Sequence, residues 1–339
     1  MNNLHIWENT SSNSNVGAVI VNWNSYEVLG QCLFALTKQT LNFSRVVVVD
    51  NGSHPQFEDL TCARPENTEY IKLPGNTGFA RANNIAFEML QDCEWIALVN
   101  PDAFLEPDWL EKMVSGIHRF PGFSFFSGLL IQANNRSYFD GLGDVYHTSG
   151  LAWKDAHAWG LHQRSPHECE IFSPCAAAAI YKREALQEVG GFDEDYFCYY
   201  EDVDLGFRLR LAGHRCMLLP RAVAHHVGSA TAGGENSSFV IYHGHRNLVW
   251  TYIKNMPGVF FWLYLPQHCL LNLYNIFHLI FRRKGCVILR AKINAIQGIP
   301  VMWRKRAMIQ ANKKVPASAI LKQMAKGFGS IISRTPPGI

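Results

Sequence analysis

The chain has no Asp or Glu after Glu235. All 28 acids stand at or before that residue, whereas 15 of the 31 Lys and Arg follow it, so a part of net charge −12 precedes one of +15. A tail of roughly a hundred residues without an acid is unusual in a freely soluble domain and points to a surface facing polyanion or anionic lipid. Also missing is any C-x-x-C pair. The nine cysteines are scattered and odd in number, which excludes a disulfide framework and a zinc site and fits a reducing cytosol. No G-x-G-x-x-G follows the first apolar run, where Asn22-Trp-Asn24 stands instead, and this disfavours a dinucleotide-dependent oxidoreductase. No basic-then-apolar segment opens the chain; residues 1–15 read as a polar tail, and the expected start is cytoplasmic, without a secretory signal. Internal repeats, low-complexity tracts and recognised nucleic-acid motifs are absent, and the basic tail is too apolar to be read as a nucleic-acid arm.

What is present is a large, apolar, aromatic globular composition: 339 residues, 48% hydrophobic and only 17% charged, enough core for one large or two ordinary domains. Gly17–Asn22 and Arg45–Asp50 are continuous apolar, β-branched runs. Leu29, Cys32, Leu33 and Leu36 fall between them at helical spacing, which predicts a β-α-β unit buried on both faces. A helix around 80–90 and a third strand, Trp95–Asn100, extend it to an α/β sheet. In such sheets ligands sit beyond the carboxyl ends of the strands, and here those ends read Asn22-Trp-Asn24, Asp50-Asn-Gly-Ser53 and Asn100-Pro-Asp102. Residues 116–173 show little periodicity and read as irregular strands and loops over the site. Order resumes with Ala176–Ile180, a short helix over 182–189 closed by Gly190-Gly191, and a helix over 201–213.

Several residues suit chemistry, each beside a plainer role. Asp102 is placed to hold a divalent ion together with phosphates, or merely to make a turn. Asp50 can accept from a base imide or a sugar hydroxyl, or end a strand. The segment Asn76-Thr-Gly-Phe-Ala-Arg-Ala-Asn83 opens a helix whose amides and Arg81 suit phosphate, or is simply capped. The densest cluster, Asp193 to Asp204, packs six carboxylates into twelve residues and demands a cation, a base function or solvation. Within it Glu201-Asp202 fits either a helix N-terminus or a general base, Asp202 being the sharper candidate. His225-His226 offers a strand-end imidazole for a metal or for a buried hydrogen bond.

Taken in order, eight motifs resemble family 2 glycosyltransferases, and the bacterial rhamnosyltransferase-like members in particular. They are Val21-Asn-Trp-Asn-Ser-Tyr26, Gln39-Thr40, Val49-Asp-Asn-Gly-Ser53, Asn76-Thr-Gly-Phe-Ala80, Asn100-Pro-Asp102, Gly190-Gly-Phe-Asp-Glu194, Tyr200-Glu-Asp-Val-Asp-Leu-Gly206 and His226-Val-Gly-Ser229. The resemblance implies an α/β protein of GT-A fold, a mostly parallel sheet flanked by helices, over residues 16–250. It implies a nucleotide-diphosphate-sugar donor held by Asn22, Asn24, Asp50, Asn76, Gly78, Arg81, Asn100 and Asp102, with Mg2+ or Mn2+ on Asp102 and His226. Asn100 stands at the first acidic position of the family's D-x-D motif, so His226 is expected to supply the missing ligand, with adjacent His225 the other choice. Asp202 matches the catalytic base, with Glu201 beside it orienting acceptor; Trp153 and Asp140 are further acceptor candidates. An inverting displacement then follows.

The tail agrees with this reading. Val259–Phe281 is long enough to span a bilayer, but Pro266, Gln267, His268, Asn272, Asn275 and His278 interrupt it. With Arg282, Arg283, Lys284, Arg290, Lys292 and Arg304-Lys-Arg306 it predicts basic, apolar helices lying on a membrane over 251–325, and a flexible tail over 326–339. The expectation is a hexosyltransferase peripheral to the inner face of the cell membrane, moving L-rhamnose from dTDP-L-rhamnose to a lipid-linked glycan of a surface polysaccharide. A UDP-sugar donor carrying galactofuranose, glucose or N-acetylhexosamine, or a non-catalytic scaffold of a glycan assembly, are the alternatives; intact Asp102, Asp202 and His226 argue against the scaffold. No oligomeric state is legible.

Overall fold

The computed structural model describes residues 15–55, 61–228 and 237–334; most of the polar start, Ser229 of the last motif and residues 335–339 lie outside the described residues. The first half runs β1 (Val16–Asn22), α1 (Tyr26–Thr37), β2 (Arg45–Asp50), β3 (Thr68–Lys72), α2 (Phe79–Met89), β4 (Trp95–Val99), β5 (Ala103–Leu105), α3 (Trp109–Arg119) and β6 (Phe125–Gln132). Short strands follow: β7 (Phe139–Gly141), β8 (Asp144–Tyr146), β9 (Ala152–Lys154) and β10 (Cys169–Ile171). Then come β11 (Ala178–Lys182), α4 (Arg183–Glu188), α5 (Glu201–Leu211) and β12 (Cys216–His226). The C-terminal helices are α6 (Ser238–Asn255), α7 (Gly258–Phe281), α8 (Gly285–Gln297), α9 (Ile299–Ala311), α10 (Ala317–Lys322) and α11 (Gly327–Ser333).

The expected β-α-β unit is present: β3, β2, β1 and β4 lie side by side and parallel, with Asn22 registered against Asp50. Their runs are continuously apolar because α1 covers one face through Leu29, Cys32, Leu33 and Leu36, and α2 covers the other through Ala80, Ala82 and Ala86. Beyond β4 the sheet turns mixed. β11 joins β4 and β6 antiparallel, and β12 then runs parallel to β6.

One central strand, β6, lies in the stretch 116–173 that showed little periodicity, and another, β12, lies beyond it, where only the strand end at His225-His226 was read. β6 carries Ser127-Gly128 in mid-strand; a Cβ on Gly128 would lie 2.4 Å from the Ala222 carbonyl, so only glycine lets β12 approach. β12 contains Pro220, which sits in a register shift between Leu219 and Val223, where the ladder does not need its missing N–H. The β8–β9 hairpin stands apart from the main sheet.

The C-terminal helices pack onto the catalytic half. α6 runs unbroken across residue 250, and Trp250, Tyr252, Ile253 and Met256 share one core with Tyr146, Tyr196, Phe207, Ala295 and Met302. Residues 327–333, expected as flexible tail, form α11. The chain is held there by a backbone bond from Ala325 to the Tyr146 carbonyl (3.0 Å) and by a contact between His147 Nε2 and the Gly327 carbonyl (3.2 Å).

The acidic stretch is divided by this packing. Buried Lys254 reaches Asp193 (2.5 Å) and Asp204 (2.7 Å), Lys305 reaches Asp193 (2.5 Å) and Asp195 (2.7 Å), and Arg208 pairs with Asp204 (2.8 Å). Burial works to raise the pKa values of Asp193 and Asp204, but the surrounding cations outweigh it and hold both below the ordinary 3.8. Lys254→Met should therefore cost about 3 kcal/mol near neutral pH, the low end for a broken buried pair, because two buried carboxylates lose a shared cation and keep only Lys305 and Arg208. Depressed carboxyl pKa values give stability above the ordinary value that is lost as pH falls through the folded values. Thermal melts should accordingly show the deficit of the variant shrinking below about pH 4.

Candidate active site

The carboxyl ends of the parallel strands open into a cleft of about 530 Å3, and Asn51, Asn76, Asn100, Asp102, Glu201, Asp202 and His226 are among the residues lining it. A larger cavity, about 790 Å3, lies over the Asp193–Lys254–Lys305 junction and contains none of these residues.

On the β1–β2 side the polar residues hold one another. Asp50 accepts from Tyr26 (2.7 Å), Tyr70 (3.3 Å), Asn22 (3.4 Å) and the Ser53 hydroxyl, and the Asn24 backbone N–H donates to Ser53 (2.9 Å). Asp50 is fully buried, so meeting a base requires one of these donors to be released. Asn51 and Asn76 join the strand end to the α2 entrance: Asn51 donates to Asn76 (3.1 Å) and accepts from the Thr77 N–H (2.8 Å), and Asn76 accepts from the Gly78 N–H (2.9 Å). Gly78 has φ +88°, and a Cβ there would strike Phe197, so the position demands glycine. Arg81 is not brought to the cleft; its guanidinium is largely exposed, 3.9 Å from Glu194.

Opposite, β12 carries His225 and His226, and strand alternation sends them to opposite faces. His225 contacts Glu106 (2.6 Å), whereas His226 Nε2 lies 3.3 Å from Asp102 and its Nδ1 lies 2.8 Å from Asp140. Of the two histidines, His226 is the one that meets Asp102, and His225 meets Glu106 instead. Burial tends to lower the His226 pKa, but the carboxylates on both sides raise it overall; burial likewise opposes, without preventing, the lowering of Asp102 and Asp140. The sequence offered Asp140 as an acceptor contact, but it does not line the cleft. It is buried behind His226, where it also accepts from Lys154 (2.8 Å). Lys154, which the sequence did not single out, sits opposite Asp144 across the β8–β9 hairpin, too short a pair of strands to leave a pattern.

Among the described residues no three His, Cys, Asp or Glu converge as a metal-holding group. Asp102 and His226 form a pair, and Asn100 Oδ1 beside them in the cleft lining is buried without a hydrogen-bond partner. A pair suits a divalent ion whose other ligands are phosphate and water. The Asp140–His226 contact is the arrangement that fixes a metal-binding imidazole's orientation.

Glu201 and Asp202 begin α5. Asp202 accepts from the Val203 N–H (2.8 Å) and the Ala176 N–H (3.4 Å), which fix its carboxylate, and burial raises its pKa against those bonds. Burial and the Asp202 charge push Glu201 well above the usual carboxylate range, and its Oε2 is buried without a partner. Trp153 does line the cleft, donating from its indole to the Arg334 carbonyl (3.0 Å), and Phe197, Tyr199, Tyr200 and Phe239 add further aromatic surface there.

The sequence matches the Glycosyl transferase family 2 profile over residues 18–190, just over half of the chain. The chain belongs to glycosyltransferase family 2. It is 26% identical over 246 residues to the N-acetylglucosaminyl-diphospho-decaprenol L-rhamnosyltransferase of Mycobacterium tuberculosis, covering 66% of this chain and 80% of that protein. It is 26% identical over 208 residues to the rhamnosyltransferase WbbL of Escherichia coli, covering 58% and 75%. Among solved structures it resembles the mannosyltransferase PcManGT of Pyrobaculum calidifontis, described in complex with GDP-Man and Mn2+. That likeness has a TM-score of 0.51 at 15% identity over 92% of this chain and 87% of the other, and it carries the GT-A fold.

For this family 2 glycosyltransferase the role of Asp140 is open to measurement. Asp140→Asn should weaken Mn2+-dependent nucleotide binding about 10–100-fold through loss of the His226 support. His225→Gln should leave it within twofold; calorimetric titration with and without Mn2+ distinguishes the two.

Proposed function

We propose that the protein transfers L-rhamnose from dTDP-L-rhamnose to a hydroxyl of a lipid-linked glycan, with inversion at the anomeric carbon. The observation that carries the reading is the meeting, in one cleft, of Asp102 and His226, backed by Asp140, with buried Glu201 and half-buried Asp202. The two rhamnosyltransferase relatives support the sugar, and the decaprenol-linked substrate in the name of one supports the acceptor class.

Asp102 and His226 would hold Mg2+ or Mn2+, with Asn100 in the same cleft lining. When bound, the ion supplies positive charge against the diphosphate leaving group. Asp202 takes the proton from the acceptor hydroxyl as its oxygen bonds to the anomeric carbon and the bond from that carbon to the diphosphate breaks. Its backbone bonds hold it in place, and its raised pKa makes it a stronger base than an ordinary aspartate. Glu201 and the aromatic walls orient the acceptor. Asp202→Asn should lower turnover ~10²–10⁴-fold while leaving nucleotide-sugar affinity near that of the unaltered chain. Equal loss of affinity would remove the base assignment.

The acceptor's lipid places the cleft at a membrane surface, and α7 supports this. No helix among the described residues is long and apolar enough to cross a membrane. Three of the polar residues that interrupt the α7 run face the protein: His268 stacks on Tyr252 at 4.0 Å, Thr148 donates to Gln267, and Lys292 reaches Asn272. Trp262, Leu263, Leu270, Leu273, Tyr274 and Phe277 are left exposed, beside Arg282, Arg283 and Lys284. An apolar helix face edged with cations fits the headgroup layer of an anionic membrane. Each such side chain contributes about 1.5–3 kcal/mol on burial. Trp262→Glu with Phe277→Glu should therefore weaken flotation with phosphatidylglycerol vesicles by well over tenfold, leaving nucleotide-sugar binding intact.

A further inference from the structure

Glu201 and Asp202 are delivered to the cleft by a turn that main chains rarely adopt. Phe197 has φ 66° and ψ −63°, with the Cys198 N–H bonded to the Tyr196 carbonyl at 2.7 Å, a γ-turn of the uncommon positive-φ hand. Tyr199 and Tyr200 also have φ 66°, so three of the four residues before Glu201 stand in the left-handed half of backbone space without being glycine. Such a turn persists only where its surroundings over-determine it.

One side chain does most of the holding. Asn247, on α6 and fully buried, places its Nδ2 3.0 Å from the Tyr196 carbonyl, 2.9 Å from that of Cys198 and 2.7 Å from that of Tyr199. Its Oδ1 accepts from Arg246 Nε (2.9 Å), which fixes the amide's orientation, and Arg246 Nη2 donates to the carbonyls of Asp195 (3.0 Å) and Tyr196 (2.8 Å). A primary amide is the group that offers two N–H donors to the turn and one acceptor to the arginine; a carboxylate would set charge against three carbonyl oxygens. The turn also meets the donor side: the Phe197 carbonyl accepts from the Ala80 N–H (3.2 Å), and the Phe197 ring fills the space above Gly78.

We propose that Asn247 is a positioning residue of the transfer reaction: it holds the 196–200 turn in the shape that aims Asp202 and Glu201 into the cleft. The inference rests on Asp202 being the base. It reaches further, because Asn247 belongs to the helical region that carries the exposed α7 face, and neither that face nor Asn247 touches the donor pair Asp102–His226.

The test uses the full chain carrying Asn247→Ser, with Arg246→Lys as the milder loosening should the first variant fail to fold. Turnover is followed as nucleotide release from dTDP-L-rhamnose with N-acetylglucosaminyl-diphospho-decaprenol and Mn2+, across pH. Misplacing a catalytic group by an ångström costs on the order of 10²-fold. The expected result is a fall in kcat of about 10–100-fold, donor Kd within threefold, a displaced acid limb of the pH profile, and faster amide hydrogen exchange at Cys198–Asp202. Unchanged kcat and pH profile in a variant that is merely less heat-stable would overturn the proposal. Exchange at Cys198–Asp202 that stays at the level of the unaltered chain would overturn it equally, with or without turnover. No turnover by the unaltered chain counts against the donor and acceptor reading instead, and the exchange measurement then decides whether Asn247 holds the turn.

Discussion

The structure depends on the partitioning of six carboxylates crowded between Asp193 and Asp204. Left together they would repel one another and stay solvated; the fold separates them instead. Asp193, Asp195 and Asp204 are drawn to Lys254, Lys305 and Arg208. Glu194 faces Arg81 and Asn84. Only buried Glu201 and half-buried Asp202 remain for the cleft, without a cation bonded to them, so burial raises both. Two of these cations, Lys254 and Lys305, come from the C-terminal helices. The pair proposed for catalysis is thus set apart by a part of the chain that does not belong to the parallel sheet.

This changes what the charge division in the sequence means. A tail with fifteen cations and no acid reads as a surface for polyanion, yet several of these cations are used inside. Lys254 and Lys305 neutralise the acidic stretch, Lys314 pairs with Glu188, Arg246 holds the turn before Glu201, and Arg306 donates to the carbonyls of Ile253 and Met256. Arg282 and Arg283 are exposed, and Lys284 half-buried, beside the apolar face of α7. The electrostatic attraction available to a membrane is therefore smaller than the net charge suggests, and the exposed aromatic and leucine side chains carry a correspondingly larger part.

The parallel half of the fold was legible because its physics is local: runs of Val and Ile buried on both faces, helices at a 3.6-residue period, and polar residues at strand ends. The position of Asp102 follows from Asn100-Pro-Asp102 closing β4. What the sequence left open was whatever depended on distant partners. His225 and His226 are equivalent in sequence and are separated only by the phase of β12, which its register against β5 and β6 determines. Asp140 looked like an acceptor contact because its short strand leaves no period, and only the fold brings it behind His226. β6 and β12 were obscured by Gly128 and Pro220, residues that oppose strand formation locally and are tolerated because the neighbouring backbone needs room or has no bond to offer there.

α7 shows the same principle reversed. Its His, Gln and Asn residues made a membrane-spanning helix doubtful, and the structure gives the physical reason: Gln267, His268 and Asn272 bind the protein, while the apolar face is largely exposed. A helix arranged this way cannot be understood as part of a water-exposed surface, since its outward side chains lose nothing to protein packing and stand in water. Nor can it cross a bilayer, because its polar face is engaged with Thr148, Ser149 and Lys292. Contact with a membrane from one side satisfies both faces at once. The same helix is tied through Lys292 to the His245 carbonyl, two residues before Asn247, so the exposed apolar surface proposed to meet a membrane and the turn before Glu201 share α6 as their support.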